Sequence, residues 1–198
     1  MTTPFYSQPV PLYALVNVFF LYSFLGWGME CIVIRREKGV WENRGFAHGP
    51  FCVIYGFGAM LGFALLRPIA HNYLALYVVG AVLATALEYA TARVMLHLFG
   101  SLWWDYSAKP LNYKGILCVE STLGWGLIAL LVFAFLHRWA FSTALRMPAR
   151  LGDGLAVCLL VAYVVDFFIS MHRALHEAHG EAEAAEQAPV QLPTVFKY

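Results

Sequence analysis

The stretch LYALVNVFFLYSFLGWGMECIVI, residues 12–34, decides the fold, because its one charged residue, Glu30, comes near the end of a long apolar run. A helix needs about 20 consecutive apolar residues to cross a bilayer core of about 30 Å. The stretch therefore predicts a transmembrane helix that carries a carboxylate close to one membrane surface.

The rest of the chain has the same apolar character. Of its 198 residues, 61% are hydrophobic and 13% are charged, whereas a soluble domain is typically about 45–50% apolar and about 25% charged. This composition predicts an integral membrane protein, with the lipid bilayer as its partner. We expect a multi-pass protein of the cell (inner or plasma) membrane. The net charge of +1 gives no electrostatic basis for binding nucleic acid.

Five apolar stretches are long enough to be spans, so the predicted fold is an all-α polytopic bundle that forms a single transmembrane domain over residues 1–176. The acidic tail at residues 177–198 has no apolar periodicity and is predicted to be disordered or a frayed extension of the last helix. The predicted spans are about 12–34, 50–69, 73–95, 116–136 and 152–172.

The distribution of Lys and Arg predicts the orientation, because these residues are enriched in cytoplasmic loops. With five spans, residues 35–49, residues 96–115 and the C-terminal tail lie on one side of the membrane. Counting Arg93 at the end of the third span, that side holds nine Lys and Arg residues and the opposite side holds four. The N-terminus is therefore predicted to lie outside and the C-terminus in the cytoplasm.

Four acidic residues, which we call the acidic band, lie at a similar predicted depth. Glu30, Glu88, Glu120 and Asp166 each fall one or two turns from the cytoplasmic end of a span, or about 6–10 Å deep at 1.5 Å per residue. An acid at the centre of a membrane helix costs about 2.5–3.5 kcal/mol on insertion scales, and less nearer the surface. We therefore expect these side chains to face the bundle interior or a water-filled cavity.

Residues 120–128, ESTLGWGLI, nearly repeat residues 22–30, YSFLGWGME. The two copies lie on spans that cross the membrane in opposite directions, as an inverted repeat requires. Independent use of a small–aromatic–small packing step explains the match equally well. Both interpretations stay open.

Two loops on the predicted cytoplasmic side, ENRGFAHGPF (42–51) and WWDYSAKPLNYKG (103–115), mix aromatic residues with charges of both signs. The aromatic residues are typical of a membrane interface. Arg44 has a planar fork of donors that suits a carboxylate, an anionic head group or a phosphate, and Asp105 needs a partner such as Arg44 or Lys109. A structural ion pair, a substrate or ion site and a catalytic site are the alternatives.

No motif in the chain assigns a reaction or a cofactor. The sequence has no Gly-x-Ser-x-Gly elbow, no Walker-type phosphate loop and no Glu-x-x-His spacing for a metal. His172, His176 and His179 have helical spacing, but a solvated helix end is favoured over a metal site for them. It therefore predicts no catalytic residue, no metal and no cofactor, and a non-enzymatic role is favoured.

The motifs YSFLGWxxE, NRGFxxGPFxVIYGFG, LEY and WWDYSxKPxNxxG occur in this order within residues 17–130. In this combination the chain resembles the bacterial ABC-transporter type IV family of CmpB-like integral membrane proteins. The residues that match the family motifs are Tyr22, Ser23, Gly26, Trp27, Glu30, Asn43, Arg44, Gly45, Phe46, Gly49, Pro50, Tyr55, Gly56, Glu88, Trp104, Asp105, Tyr106, Pro110, Asn112, Gly115 and Ser121.

The resemblance implies a permease-like component that works with a separate ATPase subunit, and a homo-oligomer is a further candidate assembly. Two positions depart from the family pattern. Val53 stands where the family commonly has proline, so the second helix is expected to begin with less of a kink. Glu120 stands where the family is not characteristically acidic, which leaves Glu30 and Glu88 as the firmer pair.

These observations predict a membrane transport component with an acidic intramembrane pocket that faces the cytoplasm. An intramembrane enzyme acting on a lipid or prenyl substrate is one alternative, and a non-catalytic structural membrane partner is the other. The first candidates for binding a substrate or ion are Glu30, Asn43, Arg44, Glu88, Asp105 and Asn112. The second candidates are Trp27, Trp104, Tyr106, Glu120 and Asp166.

Overall fold

The computed structural model describes residues 9–187, which form a helical bundle with one very small hairpin. A 3₁₀ turn, Arg67–Ile69, follows the second helix, and a π-helical turn, Val132–Leu136, joins the fourth helix to the fifth. The helices are α1 Leu12–Lys38, α2 Val53–Leu66, α3 Tyr73–Phe99, α4 Val119–Leu131, α5 His137–Arg146 and α6 Ala149–Gln187. The antiparallel strands are β1 Asn112–Tyr113 and β2 Leu117–Cys118.

The predicted all-α membrane bundle is confirmed. Within residues 9–187, four helical segments are long and apolar enough to cross a membrane: Leu12–Arg36, Tyr73–Phe99, Val119–Arg146 and Ala149–Glu177. The segment Val53–Ile69, in the region of the second predicted span, is apolar but shorter. It starts later than expected because the preceding chain bends and is tied to α1, where the Cys52 amide donates to the carbonyl of Ser23 at 2.9 Å.

Several further helix ends differ from the sequence-based boundaries, and the fourth span continues through the π-helical turn and α5 to Arg146. The fourth predicted span begins at Val119 rather than residue 116, because the preceding residues complete the hairpin with β1. The helix α3 extends to Phe99 and ends where Gly100 adopts φ +69°, a conformation that favours glycine. The helix α6 continues to Gln187, beyond the predicted start of the disordered tail, and residues 188–198 lie outside the described part of the chain.

The helix α1 lies at the centre of the bundle and packs against α2, α5 and α6, while α3 packs against α4 and α2. A core of small and aromatic side chains forms where α1 meets α5, around the fully buried Val18 and Phe141. Large apolar side chains such as Val157 and Phe168 of α6 remain exposed on the outer surface. An apolar exterior of this extent is what contact with lipid tails requires.

The two GWG segments pack through different glycines. In the first copy, a Cβ on Gly26 would overlap the ring of Tyr55, whereas one on Gly28 would meet nothing within 4 Å. In the second copy the open position is Gly124, and a Cβ on Gly126 would lie 2.6 Å from the ring of Tyr77. This reversal favours independent use of a packing step over an equivalent inverted repeat.

Candidate functional site

A cavity of about 170 Å³, the polar chamber, lies where residues 39–52 and 100–118 meet the ends of the helices. Side chains from α1, α2, α3, α4 and both loops contribute to its wall. The chamber is lined by Glu30, Arg44, Phe46, Cys52, Val53, Ile54, Tyr55, Glu88, Thr91, Met95, Trp103, Trp104, Tyr106 and Trp125. Five of the eleven predicted site residues therefore share one cavity: Glu30, Arg44, Glu88, Trp104 and Tyr106.

Glu88 is the most deeply buried acid of the chamber, with 4% of its surface exposed. Its carboxylate accepts hydrogen bonds from the Tyr106 hydroxyl at 3.1 Å and from the Trp125 indole nitrogen at 3.0 Å. A buried carboxylate needs such donors because it has lost its hydration shell. The helix α4 and the second loop thus both hold the side chain of Glu88 in place.

Glu30 lies one turn from Gly26 on α1 and accepts a hydrogen bond from the hydroxyl of Tyr55 on α2. The ring of Tyr55 can reach this position because Gly26 has no side chain to exclude it. The same ring lies 5.7 Å from that of Trp125, measured between centroids. Tyr55, which donates to Glu30, therefore lies beside Trp125, which donates to Glu88.

The second loop contributes Tyr106 as a protonated donor. Burial, with the nearby charge of Glu88, raises the pKa of the Tyr106 phenol far above its ordinary value. The adjacent Asp105 instead points to the surface, where its Oδ1 atom accepts from the Ser107 amide at 2.8 Å. Hydrogen bonds from Ser107 lower the pKa of Asp105 below its usual range, so Asp105 shapes the turn and does not line the chamber.

Arg44 extends from the first loop into the chamber wall, and 16% of its side chain is exposed. Its Nη2 atom donates to the carbonyl of Trp103 at 2.8 Å, and Nη1 lies 3.7 Å from a carboxylate oxygen of Glu42. Within residues 9–187, Nε is buried without a hydrogen-bond partner. The sequence predicts, as one alternative, that Arg44 pairs with a carboxylate of the acidic band or with Asp105. Its carboxylate partner is instead Glu42, which is two residues away in the sequence.

The two candidate asparagines support the loops. Asn43 accepts from the Trp27 indole nitrogen at 2.7 Å and donates to the carbonyl of His48 at 3.0 Å. Asn112 donates to the carbonyl of Lys109 at 2.8 Å and accepts from the Gly115 amide at 3.0 Å. Their side-chain amides satisfy backbone groups that the irregular loops leave unpaired. Neither asparagine lines the chamber. Trp27 does not line it either, and its contact with the first loop is the hydrogen bond to Asn43.

Only two of the four acids in the acidic band line the chamber, and Glu120 and Asp166 have other partners. Glu120 is at the surface, with 65% of its side chain exposed, and pairs with Lys109 at 3.0 Å. Asp166 on α6 accepts from the Gly49 amide at 2.7 Å and lies 2.9 Å from His48 Nδ1. Asp166 therefore attaches the first loop to α6, and the chamber itself receives only Glu30 and Glu88 from the acidic band.

A family model described as putative ABC-transporter type IV matches residues 17–171. The chain belongs to this family. The match continues beyond residue 130 into α6, so the last span, which the sequence motifs leave unassigned, is part of the family pattern. Neither the curated proteins nor the solved structures yielded a match.

The family and the four long apolar helices together identify a multi-pass membrane protein of the ABC-transporter type. Membership also supports cooperation of such a membrane protein with an ATPase. The residues that carry the family motifs form both the chamber wall and the hydrogen bonds of its two loops.

In this ABC-transporter type IV protein, a second cavity of about 100 Å³, the apolar cavity, lies between α2, α3 and α4. It shares Ile54, Tyr55, Glu88 and Trp125 with the polar chamber and extends along the helices to His137. The distance from Trp125 to His137 is twelve residues, or about 18 Å along a helix. The two cavities together therefore follow much of the depth of the bundle.

Sequence reasoning did not identify His137, Tyr55 or Trp125 as candidates. His137 is fully buried directly after the π-helical turn, with Nδ1 3.1 Å from the Tyr22 hydroxyl. Its Nε2 atom has no hydrogen-bond partner among the described residues. A histidine inside an apolar run was a usable signal, whereas Tyr55 and Trp125 resemble the other interfacial aromatic residues until their donors are seen to reach Glu30 and Glu88.

Proposed function

We propose that this chain is the membrane-embedded component of a transporter, and that its solute enters the bundle through the polar chamber. The observation that supports this proposal is the meeting of Glu30 and Glu88, from two different spans, in one cavity that adjoins the apolar cavity. Ionisable residues inside a membrane bundle characteristically mark the pathway of a substrate, ion or proton.

Ten of the eleven predicted site residues have a part in this proposal. Glu30 and Glu88 bind the solute or exchange a proton with it, and Arg44 forms the side of the chamber nearest the loops. Trp104 and Tyr106 form aromatic walls. The loop residues Asn43, Asp105 and Asn112, with Trp27 and Asp166, hold the chamber in shape through the hydrogen bonds described above, and Glu120 lies outside it at the surface.

The chamber is predicted to face the cytoplasm, because both loops and the end of α6 lie on the side richer in Lys and Arg. Energy from ATP would come from another subunit, since the 198 residues contain no Walker-type loop. A chamber on the cytoplasmic side would then open or close as that subunit binds and hydrolyses ATP.

The alternatives make different demands on the site. A purely structural partner needs no cavity, and an intramembrane enzyme needs a closed chamber that holds its carboxylates next to the substrate. The apolar cavity that continues from Glu88 toward His137 favours a transport path over a closed chamber. Two carboxylates in one cavity keep the enzyme as the second candidate.

The test uses membrane vesicles of both orientations, from cells that contain the chain and from cells that lack its gene. Uptake is measured with and without ATP for labelled amino acids, organic cations, metal ions and phospholipid analogues. We expect ATP-dependent uptake of at least one solute to require the chain and to fall at least ten-fold in Glu88→Gln. Glu120→Gln, which changes an exposed acid, is the matched control and should transport normally.

Equal uptake of every solute by vesicles with and without the chain would reject the transport proposal. Normal uptake by Glu88→Gln would remove the chamber from the mechanism. Mass spectrometry of lipids from the same vesicles checks the enzyme, which would change a lipid species in an ATP-independent and chain-dependent manner.

A further inference from the structure

We infer that the ligand of this site is a single-chain amphiphilic cation, with an amine or quaternary ammonium group in the polar chamber and a hydrocarbon chain in the apolar cavity. The inference rests on the proposed function, because it names the substrate class of the same site. Three features of the cavities carry it: their charge, their aromatic walls and their continuity.

The charge of the chamber favours a cation. Glu30, Arg44 and Glu88 are the ionisable acids and bases that line it, apart from cysteine and tyrosine side chains. Arg44 has its own carboxylate partner in Glu42. No ion pair to Glu30 or Glu88 occurs in the part of the chain that the structure describes.

The two acids therefore have hydrogen-bond donors but no positive partner. Burying a carboxylate is costly unless a proton or a cation balances its charge. A carboxylate offers about four lone-pair sites, and Glu88 uses two of them on Tyr106 and Trp125 while Glu30 uses one on Tyr55. Sites remain on both acids for a charged donor, and a quaternary ammonium group would be balanced by their charge alone.

The aromatic side chains that line the chamber also favour a cation. The chamber presents the rings of Tyr55, Trp103, Trp104, Tyr106 and Trp125. The polar edges of several rings are already engaged, as Trp104 donates to the carbonyl of Ile116 at 2.9 Å. Ring faces attract cations through their quadrupole, and alkylammonium groups are preferred ligands of such surroundings.

The apolar cavity suits a single hydrocarbon chain. It begins at the residues shared with the chamber and continues past small side chains on facing helices, which leave a narrow space between α2, α3 and α4. The small residues that line it are Gly58, Ala59, Gly62, Gly80, Ala84 and Ala129. A cation bound at Glu88 would therefore place an attached chain directly in this space.

The test measures binding of radiolabelled octyltrimethylammonium to the full chain in phosphatidylcholine nanodiscs, after subtraction of the label bound by empty nanodiscs. Octyl sulfate and octanol compete as anionic and neutral molecules with the same chain, and tetramethylammonium competes as the head group alone. We expect unlabelled octyltrimethylammonium to displace the label at a concentration at least ten-fold lower than any of the three.

The length of the hydrocarbon chain and two kinds of variant test the apolar cavity and the two carboxylates separately. Each methylene buried in the cavity should tighten binding about three- to four-fold, until the cavity is full and the gain stops. The gain should stop at a shorter chain in Gly58→Leu, where a new Cβ meets only Leu87 at an ordinary 3.5 Å and the longer side chain fills the cavity. Glu30→Gln and Glu88→Gln should each weaken binding at least ten-fold, and Glu120→Gln should not.

Equal displacement by octyl sulfate or octanol would overturn the inference, and so would the absence of binding above that of empty nanodiscs. These competition results on the unmodified chain do not depend on whether any variant folds. The measurement needs neither ATP nor flux. Retained cation binding without ATP-dependent uptake would therefore reject the proposed function alone, whereas uptake of a solute with no preference for amphiphilic cations would reject the ligand class alone.

Discussion

At the scale of single residues, the site depends on how buried carboxylates are satisfied. Glu88 has two donors from different elements, Tyr106 in the second loop and Trp125 on α4. Removing one donor leaves a buried acceptor with fewer partners, and such a loss typically costs about 1–3 kcal/mol. The hydrogen bonds of Glu88 therefore contribute both to the shape of the chamber and to the stability of the fold.

We predict that Tyr106→Phe lowers the free energy of unfolding by about 1–3 kcal/mol, because it deletes the hydroxyl that donates to Glu88 and keeps the ring. Tyr113→Phe is the matched control, since Tyr113 belongs to the same loop (103–115), is exposed in β1 and should change stability by less than about 0.5 kcal/mol. Unfolding in mixed detergent micelles, followed by circular dichroism, measures both variants. Equal stability of the two would show that the Tyr106–Glu88 bond contributes nothing.

At the scale of helices, the contact between α1 and α2 depends on one glycine of the GWG segment. The Tyr55 ring occupies the space that a side chain on Gly26 would need, and its hydroxyl thereby reaches Glu30. Small residues at helix interfaces allow this close approach. The neighbouring Gly28 faces open space and has no such role.

We predict opposite effects for two substitutions that are chemically the same. Gly26→Ala should destabilise the bundle by about 1–3 kcal/mol, because it forces Tyr55 away from α1. Gly28→Ala should leave the stability of the bundle unchanged or raise it by about 0.5–1 kcal/mol. Alanine has a higher helix propensity than glycine, and nothing lies within 4 Å of the new methyl group.

The same unfolding measurement checks the Gly26 and Gly28 variants, and cation binding to Gly26→Ala should weaken together with its stability. The second GWG copy offers an internal comparison with the order reversed, so that Gly126→Ala should destabilise and Gly124→Ala should not. A destabilised Gly28→Ala together with an unaffected Gly26→Ala would contradict the packing described for α1.

At the scale of the whole molecule, both polar loops and the chamber lie at one end of the bundle, and Asp166 of α6 holds the first loop there. The excess of Lys and Arg at this end predicts that it faces the cytoplasm. The solute would then meet Glu30 and Glu88 from the cytoplasmic side and His137 from the outer side.

We predict that a membrane-impermeant maleimide labels Arg150→Cys in intact cells and labels Lys38→Cys only after the membrane is permeabilised. Both positions are exposed at opposite ends of the bundle. Both variants are made in a chain whose four native cysteines have been replaced, because the exposed Cys158 would otherwise react with the maleimide. The reverse pattern of labelling would place the chamber on the outer side and reverse the direction from which the solute enters.

The acidic band illustrates how far sequence reasoning reached and where it stopped. Depth along a helix follows from counting residues, so Glu30 and Glu88 could be predicted to lie near one surface. Their meeting in the chamber also requires the rotation of each helix and the reach of Tyr55 and Trp125, which counting does not provide. Glu120 has the same predicted depth and is at the surface beside Lys109.

By itself the sequence determined that this is a helical membrane protein and where most of its apolar helices lie, because the hydrocarbon core imposes a minimum length and composition on any span. The family motifs likewise identified the residues of the two loops. Only the tertiary structure decided which acids share a cavity, which glycine of each GWG segment is packed, and that His137 lines the apolar cavity. Those features depend on packing between helices distant in sequence, and no local pattern encodes the side of a helix that a neighbour will cover.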